Sequence, residues 1–195
     1  MVAYGVTTVI DLRSESEVAS SPGPFASASN GRRPAYVHLP LVDDVTMLKL
    51  AAAPSMFDRY LMMLEHRQGA FGAIFKALAH ADGTVVFHCF AGKDRTGLVA
   101  AMSLALSGVA VDSIAADYAE TDWQMSARYE QWLAAATPEK LDEMRDDLRC
   151  PPERIIGVLE HLEERWGGAE AYLEAAGLSS TAISRLRSKL ADSAI

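Results

Sequence analysis

The chain has 195 residues, half of them apolar, so it is long enough to bury one substantial core and has the size of a single domain. Its formal net charge of −8 argues against binding to nucleic acid or to anionic membranes, because either would require a large basic face. An anionic ligand must therefore be held by a local site.

Cysteine usage and the start of the chain suggest a compartment. Cys89 and Cys150 are too few for a disulfide framework, and no charged segment followed by an apolar run opens the chain. We therefore expect a cytoplasmic protein, with export without a signal peptide as the alternative. The longest nearly apolar stretch, 98–111, is shorter than the roughly 20 residues that span a bilayer, so it predicts a buried helix and no transmembrane segment.

Two strand patterns come first along the chain. Residues 6–12 (VTTVIDL) and 36–42 (YVHLPLV) are rich in β-branched and apolar side chains, as is typical of strands. The segment between them, 20–34, is rich in Ser, Pro and Gly and predicts a connecting loop.

Two helices are predicted next. Ser55 followed by Asp58 resembles a capping box, and apolar residues then recur at helical spacing, namely Met56, Tyr60, Met63 and Leu64. We interpret Met56, Met62 and Met63 as helix core, with a mobile lid over a pocket as the alternative. A further helix with an apolar face is predicted over 70–81.

A third strand and a helical second half complete the pattern. Asp82 and Gly83 end the preceding helix, and Thr84–His88 (TVVFH) is an apolar run of the kind found in fully buried strands. From Thr96 onward the pattern is helical, with breaks at Gly108, Thr137-Pro138, Pro151-Pro152, Gly167-Gly168 and Gly177. The order predicts one α/β domain over 1–195, in which helices flank a small, mostly parallel sheet and the C-terminal half is helical.

Residues 88–97, HCFAGKDRTG, place a cysteine, five residues and an arginine between the third strand and an apolar helix. A tight loop there turns its N–H groups inward, and the helix N-terminus adds partial positive charge, which together favour phosphate. Gly92 relieves the steric limit on such a turn. The residues predicted to bind phosphate are Phe90, Ala91, Gly92, Lys93, Asp94 and Arg95.

The same loop predicts a nucleophile and an anchor for the phosphoryl group. Its field stabilises a thiolate, so we expect Cys89 to attack phosphorus and form a phosphocysteine that water then hydrolyses. Arg95 offers a planar fork of donors to two phosphoryl oxygens, which lysine would not reproduce. Thr96 either hydrogen-bonds the departing thiolate or caps the helix. The scheme requires no metal and no cofactor.

Chance is a poor explanation of this pattern. His, Gly, Arg, Thr and Gly at these offsets from a cysteine would coincide with a frequency on the order of 10⁻⁵. A nucleotide-binding loop of the GxxxxGK type is excluded because Gly97 is followed by Leu98. A catalytically inactive phosphate-binding module stays the alternative function, although such modules commonly lose the cysteine or the arginine.

The motif HCFAGKDRTG resembles the signature of bacterial tyrosine and dual-specificity phosphatases of the PtpB type, and VIDLRSESE, ADYAETD and GGAEAYLEAAGLS resemble other parts of that family in the same order. The resemblance implies the cysteine-phosphatase fold and hydrolysis of phosphotyrosine in proteins or peptides, with phosphoserine, phosphothreonine or phosphoinositides as further substrates. Members usually carry a segment before the VIDLRS strand, and we expect it to be missing here. The Trp-Pro-Asp loop that supplies the general acid in many tyrosine phosphatases is not present as such.

The proton donor must then be another carboxylate. Asp94, next to Arg95, is the first candidate, and an ion pair with a neighbouring Lys or Arg is the alternative for it. Asp43 and Asp44 follow the second strand and are the next candidates, with a solvated turn as the alternative.

The remaining polar residues near the motif have two interpretations each. Lys93 either neutralises a further phosphate or is a charge at the rim, and Asp11 with Arg13 either lines the pocket or forms a structural ion pair. We expect His88 to orient the loop through hydrogen bonds and Cys150 to be structural.

Overall fold

Apolar and β-branched residues form a parallel sheet of three strands in the computed structural model, which describes residues 4–26 and 34–191. The strands are β1 (Val6–Asp11), β2 (Ala35–His38) and β3 (Thr84–His88), in the order β2-β1-β3. Ile10 of β1 is opposite Val37 on one side and Phe87 on the other. The small parallel sheet predicted from the sequence is confirmed.

The parallel arrangement brings the carboxyl ends of the three strands to one edge of the sheet. Backbone bonds continue past the strands: the N–H of Leu12 donates to the carbonyl of His88 at 2.8 Å, and the N–H of Leu39 donates to that of Asp11 at 2.9 Å. The segments that follow β1, β2 and β3 therefore lie side by side, which is where parallel sheets build their sites.

Helices make up most of the remaining described chain. They are α1 (Glu15–Ser20), α2 (Asp44–Leu50), α3 (Met56–His66), α4 (Gln68–His80), α5 (Asp94–Leu106), α6 (Val111–Gln124), α7 (Ser126–Ala134), α8 (Leu141–Leu148), α9 (Pro152–Trp166), α10 (Ala169–Ala175) and α11 (Ser180–Ala191). A 3-10 turn, Pro138–Lys140, precedes α8. Within the described ranges, no helix is both long enough and apolar enough to cross a membrane.

The core lies between the sheet and α5, which packs against β3 and against α6, α9, α10 and α11. The apolar residues of α5 explain this central position, since Leu98, Val99 and Met102 are completely buried. The largest fully buried side chains elsewhere are Tyr60, Phe71, Phe75 and Tyr172. The helix predicted within 98–111 is therefore buried, and it ends at Leu106.

Several boundaries differ from the sequence prediction. The second strand ends at His38 rather than at residue 42, although Leu41 and Val42 beyond it are still buried. The short helices α1 and α2 were not predicted, because six or seven residues give too little periodicity. The break at Met125 between α6 and α7 was also missed. The predicted loop over 20–34 includes residues 27–33, which lie outside the described residues.

The third strand differs in burial rather than in extent. Thr84–His88 has the predicted bounds, but it pairs only with β1 among the described strands and is partly exposed along its length. The prediction of a fully buried strand was therefore wrong. An apolar run is compatible with an edge position as well, because composition does not count neighbouring strands.

Candidate active site

The loop after β3 forms a concave turn in front of α5. Cys89 ends the strand side of the loop and is 6% exposed, while Gly92 adopts φ +73°, which side chains other than glycine rarely do. In the part of the chain that the structure describes, no side chain caps α5. The first N–H groups of α5 are thus available to an anion at the place where the helix dipole is positive.

Arg95 is held in a fixed orientation by Glu17 of α1. Its Nη1 donates to Oε2 at 2.6 Å and its Nη2 donates to Oε1 at 2.8 Å, which is a bidentate pair. A guanidinium has five N–H donors, so three are left after this pairing. The arginine is nearly buried yet keeps donors for a second planar acceptor, such as the oxygens of a phosphoryl group.

The pKa values of this pair show that both groups are charged. Burial raises the pKa of Glu17, but the bond from Arg95 and the N–H of Ser14 outweigh it and hold the pKa below the ordinary value of 4.5. Burial likewise opposes the charge of Arg95, yet the bond to Glu17 and the nearby Cys89 raise the pKa of Arg95 above its ordinary value. The two shifts agree on an ionic pair between Glu17 and Arg95.

A capping box positions Glu17. The N–H of Ser14 donates to Glu17 Oε2 at 2.8 Å, and the N–H of Glu17 donates to Ser14 Oγ at 3.3 Å. Glu17 therefore anchors the first turn of α1 and Arg95 with the same carboxylate. The sequence analysis missed it, although Ser14 and Glu17 at this spacing are a recognisable signal for the start of a helix.

A cavity of about 200 Å³ opens beside Arg95 and Asp94. Its walls are mostly apolar and come from α2, α3 and the segment after β2; the other lining residues are Val42, Met47, Leu50, Ala51, Met56, Arg59 and Met63. Met56 and Met63 are also buried in the core, so they are at once helix core and cavity wall. The cavity is thus apolar where α2 and α3 line it and charged where Asp94 and Arg95 border it.

The sequence model of the tyrosine phosphatase family matches residues 1–192. The chain belongs to the tyrosine phosphatase family. A tyrosine-protein phosphatase of Nostoc commune is 31% identical over 97% of this chain and 68% of its own length. The triple specificity protein phosphatase PtpB of Mycobacterium tuberculosis is 30% identical over 95% of this chain and 82% of its own length. The chain thus spans about two thirds of the first relative, and the family resemblance inferred from the motifs is confirmed.

Asp94 precedes Arg95 in the loop, and two donor groups approach the same oxygen of its carboxylate. Tyr60 donates its hydroxyl to Oδ1 at 2.6 Å, and Lys93 Nζ lies 2.9 Å from the same atom. The ion pair considered from the sequence is therefore present, while Asp94 also borders the cavity with Arg95.

Lys93 does not lie at an open rim. It is 3% exposed, and besides Asp94 its ammonium donates to the carbonyl of Asp147 at 2.5 Å. A buried lysine with two oxygen partners holds the loop to the last turn of α8 and has little freedom to follow a ligand.

The carboxylates after β2 lie away from the cavity. Asp43 accepts from the N–H of Thr46 at 2.7 Å and pairs with Arg67, and both interactions lower its pKa. Asp44 is exposed and accepts from Ser16 Oγ at 2.6 Å, and this bond contributes to lowering its pKa below the ordinary value. Asp43 is thus the N-cap of α2, and neither residue is among those that line the cavity with Arg95.

Asp11 and Arg13 form a buried ion pair behind the loop. Arg13 donates to Asp11 through Nε at 2.9 Å and Nη2 at 2.7 Å, and Tyr36 adds a third donor at 3.0 Å. Although burial raises the pKa of Asp11, these donors lower it overall. Asp11 has no exposed surface, so the pair braces β1 against β2 and does not face a ligand.

His88 lies between the Asp11–Arg13 ion pair and the loop after β3. Its Nδ1 lies 3.0 Å from the carbonyl oxygen of Cys89, and its Nε2 lies 3.7 Å from Asp11 Oδ2. Because a carbonyl only accepts, the ring donates through Nδ1. This geometry suits an orienting residue.

Thr96 has no assigned partner within the described residues. Its Oγ1 is buried without a hydrogen bond, and the residue borders a cavity of about 140 Å³ between the loop and α6. Since it does not cap α5, its hydroxyl is available for another acceptor.

Phe90 in the loop and Cys150 after α8 are two further residues considered in the sequence analysis. Phe90 is 59% exposed and stacks on Trp132 of α7, with ring centroids 6.2 Å apart. Cys150 is fully buried, and burial raises the pKa of its thiol to about 11. The described residues contain no group of three or more His, Cys, Asp or Glu that could hold a metal ion.

A further cavity lies away from the loop. It measures about 590 Å³ and lies between β3, α4, α5 and α11, with mostly apolar walls such as Phe87, Leu104 and Leu186. No residue of the loop from Cys89 to Arg95 borders it. The cavity of about 200 Å³ is the one that Asp94 and Arg95 border.

Proposed function

We propose that this chain hydrolyses phosphotyrosine in proteins or peptides through a cysteinyl-phosphate intermediate on Cys89. The observation that carries the proposal is the Arg95 guanidinium, which Glu17 fixes beside Cys89 in front of an uncapped helix N-terminus. Donors aimed in advance at developing phosphoryl charge are the main device of such catalysis. Both residues that inactive relatives commonly lose are present, which disfavours a mere phosphate-binding module.

The reaction takes two displacements at phosphorus. The Cys89 thiolate attacks phosphorus, the bond to the tyrosine oxygen breaks, and Asp94 gives that oxygen its proton. Water then attacks the phosphocysteine, Asp94 takes up a proton from it, and the thiolate and inorganic phosphate are released. Thr96 is the proposed donor to the departing thiolate, and Arg95 follows the phosphoryl oxygens through both steps.

The cavity favours an aryl phosphate. Its mostly apolar walls, including Met47 and Leu50, suit a phenyl ring, whereas a phosphoserine would leave them in contact with water. Lys93 is already bound to Asp94 and to the carbonyl of Asp147, which disfavours a role in gripping a second phosphate, as on a phosphoinositide. A nucleophilic thiol must stay reduced, so we place the reaction in a reducing compartment such as the cytoplasm.

Substitution of Cys89 by Ser tests the proposal. We expect Cys89→Ser to lower kcat on phosphotyrosine peptide by more than about 10³-fold, because the nucleophile is lost. Binding of vanadate or phosphate should persist, since backbone N–H groups and Arg95 hold the anion. Steady-state kinetics and calorimetric titration of both proteins give the two numbers.

The same assay ranks the substrates. Phosphotyrosine, phosphothreonine and phosphoinositide are compared at equal concentration, and we expect phosphotyrosine to have the highest kcat/KM. Turnover by Cys89→Ser within tenfold of the unmodified protein would contradict the mechanism. Turnover of phosphoinositide above phosphotyrosine would contradict the substrate assignment and leave the mechanism intact.

A further inference from the structure

We infer that Tyr60 is a positioning residue, which sets which oxygen of Asp94 carries the proton for the leaving group. The inference rests on the proposed function, since it gives a role to a neighbour of the proposed acid. It is drawn from three side chains, Tyr60, Asp94 and Lys93, whose contacts meet at a single atom.

That atom is Asp94 Oδ1. The hydroxyl of Tyr60 at 2.6 Å and the ammonium of Lys93 at 2.9 Å both approach it. Two donors occupy the two acceptor directions of a carboxylate oxygen, so a proton cannot reside there without displacing one of them. The proton of neutral Asp94 must be on Oδ2, which accepts no hydrogen bond from the described residues.

The phenol ring of Tyr60 is held in place by its surroundings. Tyr60 is fully buried, and its hydroxyl lies 2.8 Å from the hydroxyl of Tyr118. A hydroxyl has one hydrogen, and that of Tyr60 is used on Asp94, so Tyr118 donates to Tyr60. The chain of donors runs in one direction, from Tyr118 on α6 through Tyr60 on α3 to Asp94 on α5.

A fixed orientation of the Asp94 carboxyl group suits its proposed role as the acid. Asp94 borders the cavity beside Arg95, so a carboxyl group turned by a bond rotation would present the wrong oxygen to the leaving group. Positioning of a reacting group is sensitive at this scale, since misplacement by about 1 Å can cost roughly 10²-fold in rate. Tyr60 supplies the constraint from outside the loop.

Leaving-group dependence is the signature to measure. A tyrosine oxygen needs protonation as it departs, and nitrophenolate hardly does. We expect Tyr60→Phe to lower the single-turnover rate of phosphocysteine formation from phosphotyrosine about tenfold and to leave that rate within about twofold for p-nitrophenyl phosphate. Single-turnover rates are compared because the later attack by water, which also uses Asp94, is common to both substrates. Asp94→Asn should show the same pattern more strongly, by roughly 10²-fold or more.

Tyr172→Phe is the matched control. Tyr172 is also fully buried, and its hydroxyl donates to the carbonyl of Leu64 at 2.8 Å without contacting Asp94. Tyr172→Phe thus loses one buried hydrogen bond, whereas Tyr60→Phe loses two, those with Asp94 and Tyr118. Both Phe variants should lose stability in thermal unfolding, and only Tyr60→Phe should change the ratio of the two single-turnover rates. In the Asp94→Asn background, Tyr60→Phe should leave that ratio unchanged.

Each contrary outcome has a distinct meaning. If Asp94→Asn shows the leaving-group pattern and Tyr60→Phe lowers both substrates equally, Tyr60 is only structural and the inference is wrong. If Asp94→Asn shows no such pattern, Tyr60 has no acid to position and the inference falls with the acid assignment. In that case the loss of turnover in Cys89→Ser still supports hydrolysis through the thiolate.

Discussion

Arg95 carries its charge in a nearly buried position, and a single carboxylate makes this tolerable. Glu17 pairs with both Nη atoms, and the same carboxylate closes the capping box of α1. An unpaired arginine at this burial would be costly, because little water reaches it. Glu17 therefore fixes both the charge state and the orientation of the Arg95 guanidinium, which we propose binds phosphate.

Glu17→Gln separates these two roles. Glutamine still serves in a capping box, so α1 should form, but the ionic pair with Arg95 is lost. We expect kcat/KM on phosphotyrosine to fall roughly 10- to 100-fold because the guanidinium is free to leave its orientation. The control is Glu15→Gln in the same first turn, whose side chain is 78% exposed, and it should change activity less than twofold. Equal losses in the two variants would contradict the role of Glu17.

Acid stability gives an independent check on this pair. The folded-state pKa of Glu17 is lowered, so its contribution to the free energy of unfolding is present above the ordinary value of 4.5 and is lost as pH falls through the folded-state pKa. The melting temperature of the unmodified protein should therefore drop more steeply below about pH 4.5 than that of Glu17→Gln. Parallel curves for the two proteins would mean that the pair does not contribute.

Among elements, the loop between β3 and α5 depends on one backbone conformation. Gly92 has φ +73° with open space where a Cβ would be, so strain and not crowding limits substitution there. Gly108, in the turn between α5 and α6, has φ +74° and equally open space. Gly92 and Gly108 thus have nearly the same φ and the same free space, but only Gly92 lies in the loop that we propose binds phosphate.

Gly92→Ala and Gly108→Ala make a matched pair. Each should cost roughly 1 to 2 kcal/mol of unfolding free energy, because alanine is strained at positive φ. Gly92→Ala should also lower kcat/KM by about tenfold or more, since relief of strain turns loop N–H groups away from the phosphate. Denaturant unfolding and kinetics of both variants measure this. Retained activity in Gly92→Ala, at equal loss of stability, would show that the loop N–H groups do not hold phosphate.

On the scale of the whole molecule, the two cysteines have opposite environments. Cys89 lies at the positive end of α5 beside Arg95, whereas Cys150 is fully buried with a pKa raised to about 11. At about pH 6.5, well below the ordinary thiol value of about 8.5, iodoacetate should label one cysteine per chain and abolish activity. Peptide mass spectrometry should locate the label on Cys89.

Two variants are the controls for the labelling experiment. Cys150→Ala should be labelled and inactivated like the unmodified protein, and Cys89→Ser should take up no label under the same conditions. Labelling of Cys150, or activity that survives labelling of Cys89, would contradict the assignment of the nucleophile. Activity should also survive EDTA, because the proposed steps use only a thiolate, an arginine and a carboxyl group.

The elements with long or contiguous signals could be predicted from the sequence. Thr84–His88 has its predicted bounds, and α3 and α4 lie where apolar spacing placed helices. The short helices α1 and α2 gave too few turns to show a period, and the edge position of β3 depends on strand pairing rather than on composition.

The sequence by itself determined the family and the residues of the loop, because Cys89, Gly92 and Arg95 are near neighbours in the chain and form one recognisable motif. Only the tertiary structure decided their partners. Glu17 is 78 residues from Arg95 and Tyr60 is 34 residues from Asp94, so these contacts exist only once α1 and α3 are packed around the loop. Packing of distant helices leaves no local pattern in a sequence, since any one of many carboxylates or phenols could have been brought to that place.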